Sequence, residues 1–289
     1  MILITGAGGK TGQAILRALA RRRAPVRALL RRTEQRPAAL AAGASEVQVG
    51  DLRDPAALRT AVQGVRTVYH ICPNMHPDEA AIGATLLAAA KAAGVSYFVY
   101  HSVLHPQTST MPHHWQKLQV EERIFQSGLP FTILQPAVYM QNLLGYWRAI
   151  RTQGVYAVPY PVETRLSLVD LEDVAEAAAR VLTETGHQGA TYELVGAAPL
   201  SQSQVAGVLA EGLQQPVRAE ALPLDLWEQQ ARRSGLGDYA IAALRQMFTY
   251  YADYGLVGNP NVLRWLLERP PTSLAAFVRR HREMPVSPC

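Results

Sequence analysis

The chain opens with a short apolar strand that runs straight into a glycine loop: Met1-Ile2-Leu3-Ile4-Thr5-Gly6-Ala7-Gly8-Gly9-Lys10-Thr11-Gly12. Gly6, Gly9 and Gly12 fall at three-residue spacing, with Gly8 as an extra, and an amphipathic run with Ile15, Leu16 and Leu19 follows. Strand, glycine turn and helix start, in that order, make a diphosphate site. Glycines let the backbone turn tightly and approach a pyrophosphate closely, and the helix N-terminus presents unpaired N–H donors. A glycine triplet alone is a weak signal; the flanking strand and helix are the context it requires. Gly9-Lys10-Thr11 resembles the end of a nucleoside-triphosphate loop, but that motif needs a glycine where this chain has Ile4. An ordinary glycine turn is the plain alternative, and four glycines in seven residues argue instead for a close-approaching ligand.

A chain of 289 residues, 48% of them hydrophobic, is long enough for one large domain with or without a smaller lobe. No apolar run reaches membrane-spanning length, since Lys91 interrupts the Ala-rich stretch around Leu86 and Leu87. No basic leader precedes the first strand, and Cys72 and Cys289 are the only cysteines. No disulfide framework is expected, and the expected location is the cytoplasm. The net charge of +5 resides in small arginine clusters: Arg21 to Arg23, Arg31 with Arg32, and Arg279, Arg280 and Arg282. Cations at a helix C-terminus complement its dipole, and a solvated face is expected for the tail cluster. Neither zinc spacing nor an RNA-binding signature accompanies them, so no nucleic acid, no membrane and no metal are expected as partners. His101 and His105 have metal-like spacing only on a helix, which Pro106 and a preceding strand argue against.

Short apolar segments predict strands at 2–5, 26–30, 47–49, 65–72, 97–102 and 131–135. Helix-like stretches lie between them near 11–22, 35–42, 55–63, 78–93 and 114–127. This alternation predicts right-handed crossovers and a doubly wound parallel α/β sheet covered on both faces. Asp54-Pro55 and Pro77-Asp78 read as helix entries, and Gly94 and Gly128 as stops. Past about residue 140 the rhythm loosens, with a strand at 166–169, a helix at 171–182 and a return to the sheet at 192–195. The remainder reads as mostly helical, with Trp227, Tyr239, Phe248, Tyr250, Tyr251, Tyr254, Trp265 and Phe277 as lobe core or pocket lining. The expected division is a dinucleotide-binding domain at 1–150 with later returns at about 166–195. A smaller, mostly helical C-terminal substrate lobe takes about 151–165 and 196–289.

In such a fold the residue ending the second strand meets the adenosine ribose, where an acid selects NAD(H) and an arginine suits a 2′-phosphate. Here Val26-Arg27-Ala28-Leu29-Leu30 ends in Arg31-Arg32, so NADP(H) is expected over NAD(H). Asp51, before Leu52, is placed to accept from the adenine amino group, or else to cap a helix, a role for which Asp54 is better placed. Cys72 and Pro73 end the fourth strand and are expected beside the cofactor. On the predicted helix from His114, at ~100° per residue, His114, Lys117, Leu118, Val120, Glu121, Ile124 and Phe125 share one inward arc. Lys117 and Glu121 lie one turn apart there. They either pair with each other, or Lys117 reaches the nicotinamide ribose or the substrate.

Together these residues resemble the NmrA-like branch of the atypical short-chain dehydrogenase/reductases. The motifs that carry the resemblance are residues 5–12, Leu30-Arg31, Gly50-Asp51-Leu52, Lys117 with Glu121, and the run Ser127 to Gln135-Pro136 continuing to Met140-Gln141-Asn142. Val169-Asp170-Leu171-Glu172-Asp173-Val174-Ala175 and Tyr192-Glu193-Leu194-Val195-Gly196 match later landmarks. The resemblance implies a Rossmann-like domain with a small C-terminal lobe and an NADP(H) site. It also implies that Pro136, Ala137, Val138, Tyr139 and Asn142 lie near the nicotinamide end. The Tyr-x-x-x-Lys pattern of typical short-chain dehydrogenases is absent, because His113 stands four residues before Lys117. Ser102 stands where the usual serine stands, and His113 is a candidate proton donor because imidazole titrates near neutrality.

Two functions follow. One is an NADPH-dependent reductase that transfers hydride from the nicotinamide to a small quinone or conjugated carbonyl, with Lys117 and His113 as catalytic candidates. The other is a non-catalytic NADP(H) sensor that reports to a protein partner.

Overall fold

The structure is a computed structural model describing residues 1–284; Cys289 lies outside the described residues. Along the chain run β1 (Ile2–Ile4), α1 (Lys10–Arg21), β2 (Val26–Leu30), α2 (Arg36–Ala41), β3 (Glu46–Val49) and α3 (Pro55–Ala61). Next come β4 (Thr67–His70), α4 (Glu79–Ala92), β5 (Tyr97–His101), α5 (Pro112–Ser127) and β6 (Phe131–Pro136). The middle of the chain holds β7 (Val138–Tyr139), α6 (Trp147–Gln153), β8 (Val155–Val158), β9 (Arg165–Leu166), β10 (Leu168–Val169), α7 (Leu171–Thr183) and β11 (Ala190–Leu194). The last third holds β12 (Leu200–Ser201), α8 (Gln202–Leu213), β13 (Arg218–Ala221), α9 (Leu224–Arg233), α10 (Asp238–Tyr254), α11 (Asn261–Leu267) and α12 (Leu274–His281).

The chain divides into two compact units. The first comprises Met1–Ser109, His113–Gln135 and Glu172–Tyr192; the second comprises Thr110–Pro112, Pro136–Leu171 and the described residues from Glu193 onward. A seven-stranded sheet of order β11-β6-β5-β4-β1-β2-β3 organises the first. Its ladders from β3 to β6 are all parallel, in register through Ile2↔Val26, Ile2↔Thr67 and Phe98↔Phe131. Such strands are buried on both faces, which is why they read as unbroken apolar runs rather than alternating ones. One core layer packs Leu3, Val68, Phe98 and Ile133 of the sheet against Leu58, Leu86, Val120 and Ile124 of the helices. Strand order reverses between β1 and β4, and the carboxyl edge at that point is where an open α/β sheet leaves a crevice.

β4 is shorter than the predicted 65–72. At Ile71 a side chain replaces the ladder: the Ile71 N–H donates to Thr5 Oγ1 at 2.9 Å, and that hydroxyl donates to the Ile71 carbonyl at 3.1 Å. The helix entry at Asp54 is as expected, its carboxylate accepting from the Ala56 N–H at 2.8 Å. Phe125 departs from the expected inward arc and is exposed, resting edge-on against Phe131 at 5.3 Å between ring centres.

In the second unit short strands pair two by two: β7 with β10, β9 with β12, and β8 with β13. The single strand expected at 166–169 is therefore two, with Leu166 pairing to Leu200 and Leu168 to Val138. Phe248, Tyr251 and Phe277 are core as expected, whereas Tyr254 and Trp265 are exposed. Arg280 is not merely a solvated tail residue: it donates to the fully buried Asp170 at 2.6 Å.

Candidate functional site

The glycine loop leaves β1 at the reversal point of the sheet, and its glycines are bare for different reasons. Gly6 has φ +63°, and a Cβ there would stand 2.8 Å from the Ile71 carbonyl oxygen, so it is required by the loop's own geometry. A Cβ on Gly12 would fall 2.5 Å from Ala7 Cα and from the Gly6 oxygen, so that glycine lets α1 pack against the loop. At Gly8 the missing side chain is replaced by the flexible Gln35 amide. Gly9 differs: a Cβ would meet nothing closer than the Gly6 oxygen at 3.5 Å. Gly9 is also the N-cap of α1, with no side-chain cap and no acid in the first turn. The first-turn N–H groups of Lys10, Thr11 and Gly12 are thus left for an external acceptor, the donor set that suits a phosphate.

Beside this loop, a cleft of about 620 Å³ is lined by Arg31, Arg32, Gln35 and Asp51. Arg31 is exposed at the end of β2 and forms no ion pair among the described residues. Gln35, which the sequence reading passed over, accepts from the Arg32 N–H at 3.1 Å and so joins the glycine loop to the arginine pair. Asp51 is gripped by Arg53 through Nε at 3.1 Å, Nη2 at 2.7 Å and the backbone N–H at 2.9 Å. Those hydrogen bonds, then the nearby guanidinium charges of Arg53 and Arg31, hold its carboxyl well below the usual carboxylate range despite slight desolvation. Leu52 beside it packs half-buried against the core.

After β4, Cys72 is buried and Pro73 exposed; burial and then the Glu79 charge push the Cys72 thiol above its usual range, so it stays protonated. His70, at the end of β4, is fully buried, with Nδ1 2.8 Å from Thr5 Oγ1 and Nε2 without a partner. Desolvation, and secondarily the Lys117 charge, lower it to about 3, so the ring is neutral.

The inward residues of α5 do not pair as adjacent turns would suggest. Lys117 Nζ donates to Glu79 Oε1 at 2.6 Å, and Glu79 is 1% exposed. Glu121 instead accepts from Ser102 Oγ and from Gln135 Nε2, the latter at 3.0 Å to both carboxylate oxygens. Burial raises the Glu121 pKa; the Ser102 and Gln135 hydrogen bonds and the Lys117 charge oppose it. Ser102 therefore sits at the end of β5 as a donor to a buried acid. His113, one residue before the predicted helix at 114–127, lies in the first turn of α5 and is buried, its Nδ1 without a partner. Burial, then His114 and Lys117, lower it to about 3. The near-neutral titration expected of it does not hold, because removing the ring from water disfavours the imidazolium.

β1, β4, β5 and β6 are parallel, so the glycine loop, Cys72-Pro73, Ser102 and Gln135 all leave the same edge of the sheet. The remaining expected site residues belong to the second unit. There Pro136 ends β6, the Ala137 N–H donates to the Leu194 carbonyl at 3.0 Å, Val138 and Tyr139 form β7, and Asn142 is exposed in the following turn. Sequence reasoning missed Glu79 and Tyr100, which the inward position of Lys117 alone could have flagged as partners to be found.

The NmrA-like family model matches residues 1–276. The chain is 31% identical over 283 residues to an NAD(P)H azoreductase of Xenophilus azovorans, covering 97% of this chain and 98% of the relative. It is similar to the solved NADPH-dependent quinone oxidoreductase QOR2 of Escherichia coli complexed with NADPH, with a TM-score of 0.85, 30% identity, and 97% and 99% of the two chains covered. The Citrobacter sp. triphenylmethane reductase complexed with NADP(H) superposes with a TM-score of 0.85 at 25% identity, over 98% and 100% of the chains. With a family match across nearly the whole chain, a relative above 30% identity and the same fold throughout, the chain belongs to the NmrA-like family.

Proposed function

We propose that this chain is an NADPH-dependent reductase of small quinones or related conjugated carbonyls. The observation that carries the reading is the uncapped start of α1 at bare Gly9, in a chain similar along its full length to a quinone oxidoreductase solved with NADPH. The cofactor supplies the hydride when bound; the protein supplies binding and orientation.

The diphosphate is assigned to the backbone of Gly6, Gly8, Gly9, Lys10, Thr11 and Gly12. The cationic Lys10 side chain is exposed beside that loop. Arg31, with Arg32 next to it, is assigned to the 2′-phosphate; its unpaired guanidinium and the cleft it lines support NADP(H) over NAD(H). Asp51 and Leu52 border the adenine end, and Cys72 and Pro73 contribute backbone. The family resemblance gives Pro136, Ala137, Val138, Tyr139 and Asn142 to the cofactor as well. Lys117 is the side chain assigned to hold the nicotinamide ribose or polarise the acceptor's oxygen, because one N–H of its ammonium is bound by Glu79 and two remain. His113, neutral and buried, is the lesser candidate for proton delivery, and water takes that role.

The second unit holds an aromatic cluster that includes its core residues Phe248 and Tyr251. Tyr160 lies 5.8 Å from Phe248 and 5.9 Å from Tyr251, and Trp227 lies 4.8 Å from Phe248, between ring centres. Burial raises the phenols of Tyr156, Tyr160 and Tyr251, which therefore stay uncharged. A quinone needs little acid assistance, which fits the missing tyrosine of the Tyr-x-x-x-Lys pattern.

NADPH oxidation followed against a panel of benzoquinones and naphthoquinones tests the reading. Acceptor-dependent consumption, weaker with NADH, is expected. Saturable NADPH binding with no turnover on any acceptor would replace it with the dinucleotide-sensor reading.

A further inference from the structure

Only three of the chain's 28 Lys and Arg residues are lysines: Lys10, Lys91 and Lys117. Lys10 stands at the glycine loop, and Lys91 donates to the Ser127 carbonyl at 2.9 Å. Lys117 is the one whose side chain is withdrawn from water, at 12% exposure. In a chain that otherwise uses arginine, a compact ammonium at this position has to be held by something. Burying such a charge costs several kcal/mol unless a counter-charge with good geometry is present.

That counter-charge is built from two other elements. Glu79 lies in the first turn of α4, where the helix dipole favours an anion. Its Oε1 accepts from Lys117 Nζ at 2.6 Å and from Tyr100 Oη, on β5, at 2.8 Å. Burial and the Glu79 charge keep the Tyr100 phenol protonated, so it remains a donor. The Tyr100 ring also lies under the ammonium, 5.6 Å from Nζ to the ring centre. Lys117's neighbour Gln116 accepts from the Ala80 N–H at 3.2 Å, so consecutive residues of α5 clamp the same turn of α4. Glu79 thus has its orientation set by Tyr100 and the clamp before it meets Lys117.

We infer that Glu79, oriented by Tyr100, is a positioning residue that fixes where the Lys117 ammonium points. This deepens the proposed reductase reading and rests on it for the part Lys117 plays toward the cofactor or acceptor. The three donors of a lysine ammonium are otherwise free to rotate on a flexible stem; anchoring one of them aims the other two.

The test is a double-mutant cycle on the full chain with Glu79→Gln, Lys117→Ala and the double variant. It reads NADPH affinity by fluorescence and kcat/KM with 1,4-benzoquinone. Glu79→Gln should lower kcat/KM by about 10- to 100-fold, the scale of a misplaced catalytic group. In the Lys117→Ala background the same change should cost less than about twofold, because its effect runs through the ammonium. With lysine-selective isotope labelling of the cofactor-free protein, Glu79→Gln should move the Lys117 Nζ resonance and leave those of Lys10 and Lys91 in place. Glu79→Asp keeps the charge and should fall between wild type and Glu79→Gln; it carries the same comparison if the glutamine variant does not fold.

Wild-type kcat/KM in Glu79→Gln, or an equal fractional loss in both backgrounds, would overturn the inference. So would an unmoved Lys117 resonance. Full turnover in Lys117→Ala would instead remove Lys117 from the proposed mechanism, while the resonance shift would still report whether Glu79 fixes it.

Discussion

Arg280 of α12 and Asp170, which immediately precedes α7, are joined by a 2.6 Å bond from Nη2 to Oδ2 within the second compact unit, across 110 positions of sequence. Asp170 is fully buried and also accepts from Gln141 Nε2 at 2.7 Å, while Gln141 Oε1 accepts from the Leu171 N–H at 3.0 Å. Helix α12 is thereby tied to the segment 169–171 of the same unit by a carboxylate that water does not reach.

Removing the cation should be costly, because it leaves that carboxylate with fewer compensating partners. Arg280→Ala is expected to lower stability by about 1–3 kcal/mol, less than for a fully buried pair because the arginine is itself partly exposed. Urea denaturation measures it, and a midpoint equal to wild type would show that the bond is incidental.

The glycines of the loop should separate into two kinds. Gly12→Ala forces a Cβ into backbone atoms at 2.5 Å and should destabilise by about 1–3 kcal/mol. Gly9→Ala meets no such atom, so its stability should stay within about 0.5 kcal/mol of wild type. It should nevertheless weaken NADPH binding, because the methyl group stands at the helix start where a phosphate would approach. Melting curves and cofactor titrations on the two variants check both halves; unchanged NADPH affinity in Gly9→Ala would count against the loop as the diphosphate site.

Arg31→Asp replaces a guanidinium by a charge that repels a phosphate dianion. NADPH affinity should fall by about tenfold or more, the scale of a lost charge-assisted hydrogen bond, with NADH affinity changed far less. Parallel titrations decide it. Equal losses for the two coenzymes would withdraw Arg31 from discrimination and leave Arg32 as the alternative.

Four buried histidines make stability depend on pH. Desolvation lowers His70, His101 and His113 to about 3 and His114 to about 4, from an ordinary 6.5. Between those values and 6.5 the unfolded chain binds protons that the folded chain refuses, so stability increases with pH there. It should be fully present above pH 6.5 and decline as pH falls toward 4, by up to about 1.4 kcal/mol per pH unit for each histidine. Glu121, whose pKa burial raises, works in the opposite sense as pH falls. Denaturation midpoints at pH 7.5, 6 and 5 measure the slope; a flat profile would mean that these rings are solvated in the folded state.

His113 is expected to matter little for chemistry. A general acid contributes about a hundredfold or more, whereas His113→Asn should change kcat/KM by less than about threefold. A hundredfold loss with unchanged NADPH affinity would restore it as the proton donor.

What the sequence determined by itself is what short-range physics controls. The apolar runs and the helices between them set a parallel sheet, since alternating strands and crossovers close in few other ways. Gly6 marks a turn that favours glycine, Gly12 a close approach of α1 to that turn, and Asp54 marks a helix start because its cap is made two residues away. Periodicity likewise brought Lys117 and Glu121 to the inward face of α5. It could not say what waits there, because a helix face reports burial and not the identity of the element that covers it. The covering elements are α4 and β5, whose Glu79 and Tyr100 claim Lys117, while Ser102 and Gln135 claim Glu121. Tertiary structure likewise exposed Phe125, placed His113 inside a helix and out of water, and gave Arg280 its buried partner. The partners of Glu121, Lys117 and Arg280 lie between 14 and 110 positions away, and a buried charge settles on whichever distant group best replaces the water it has lost.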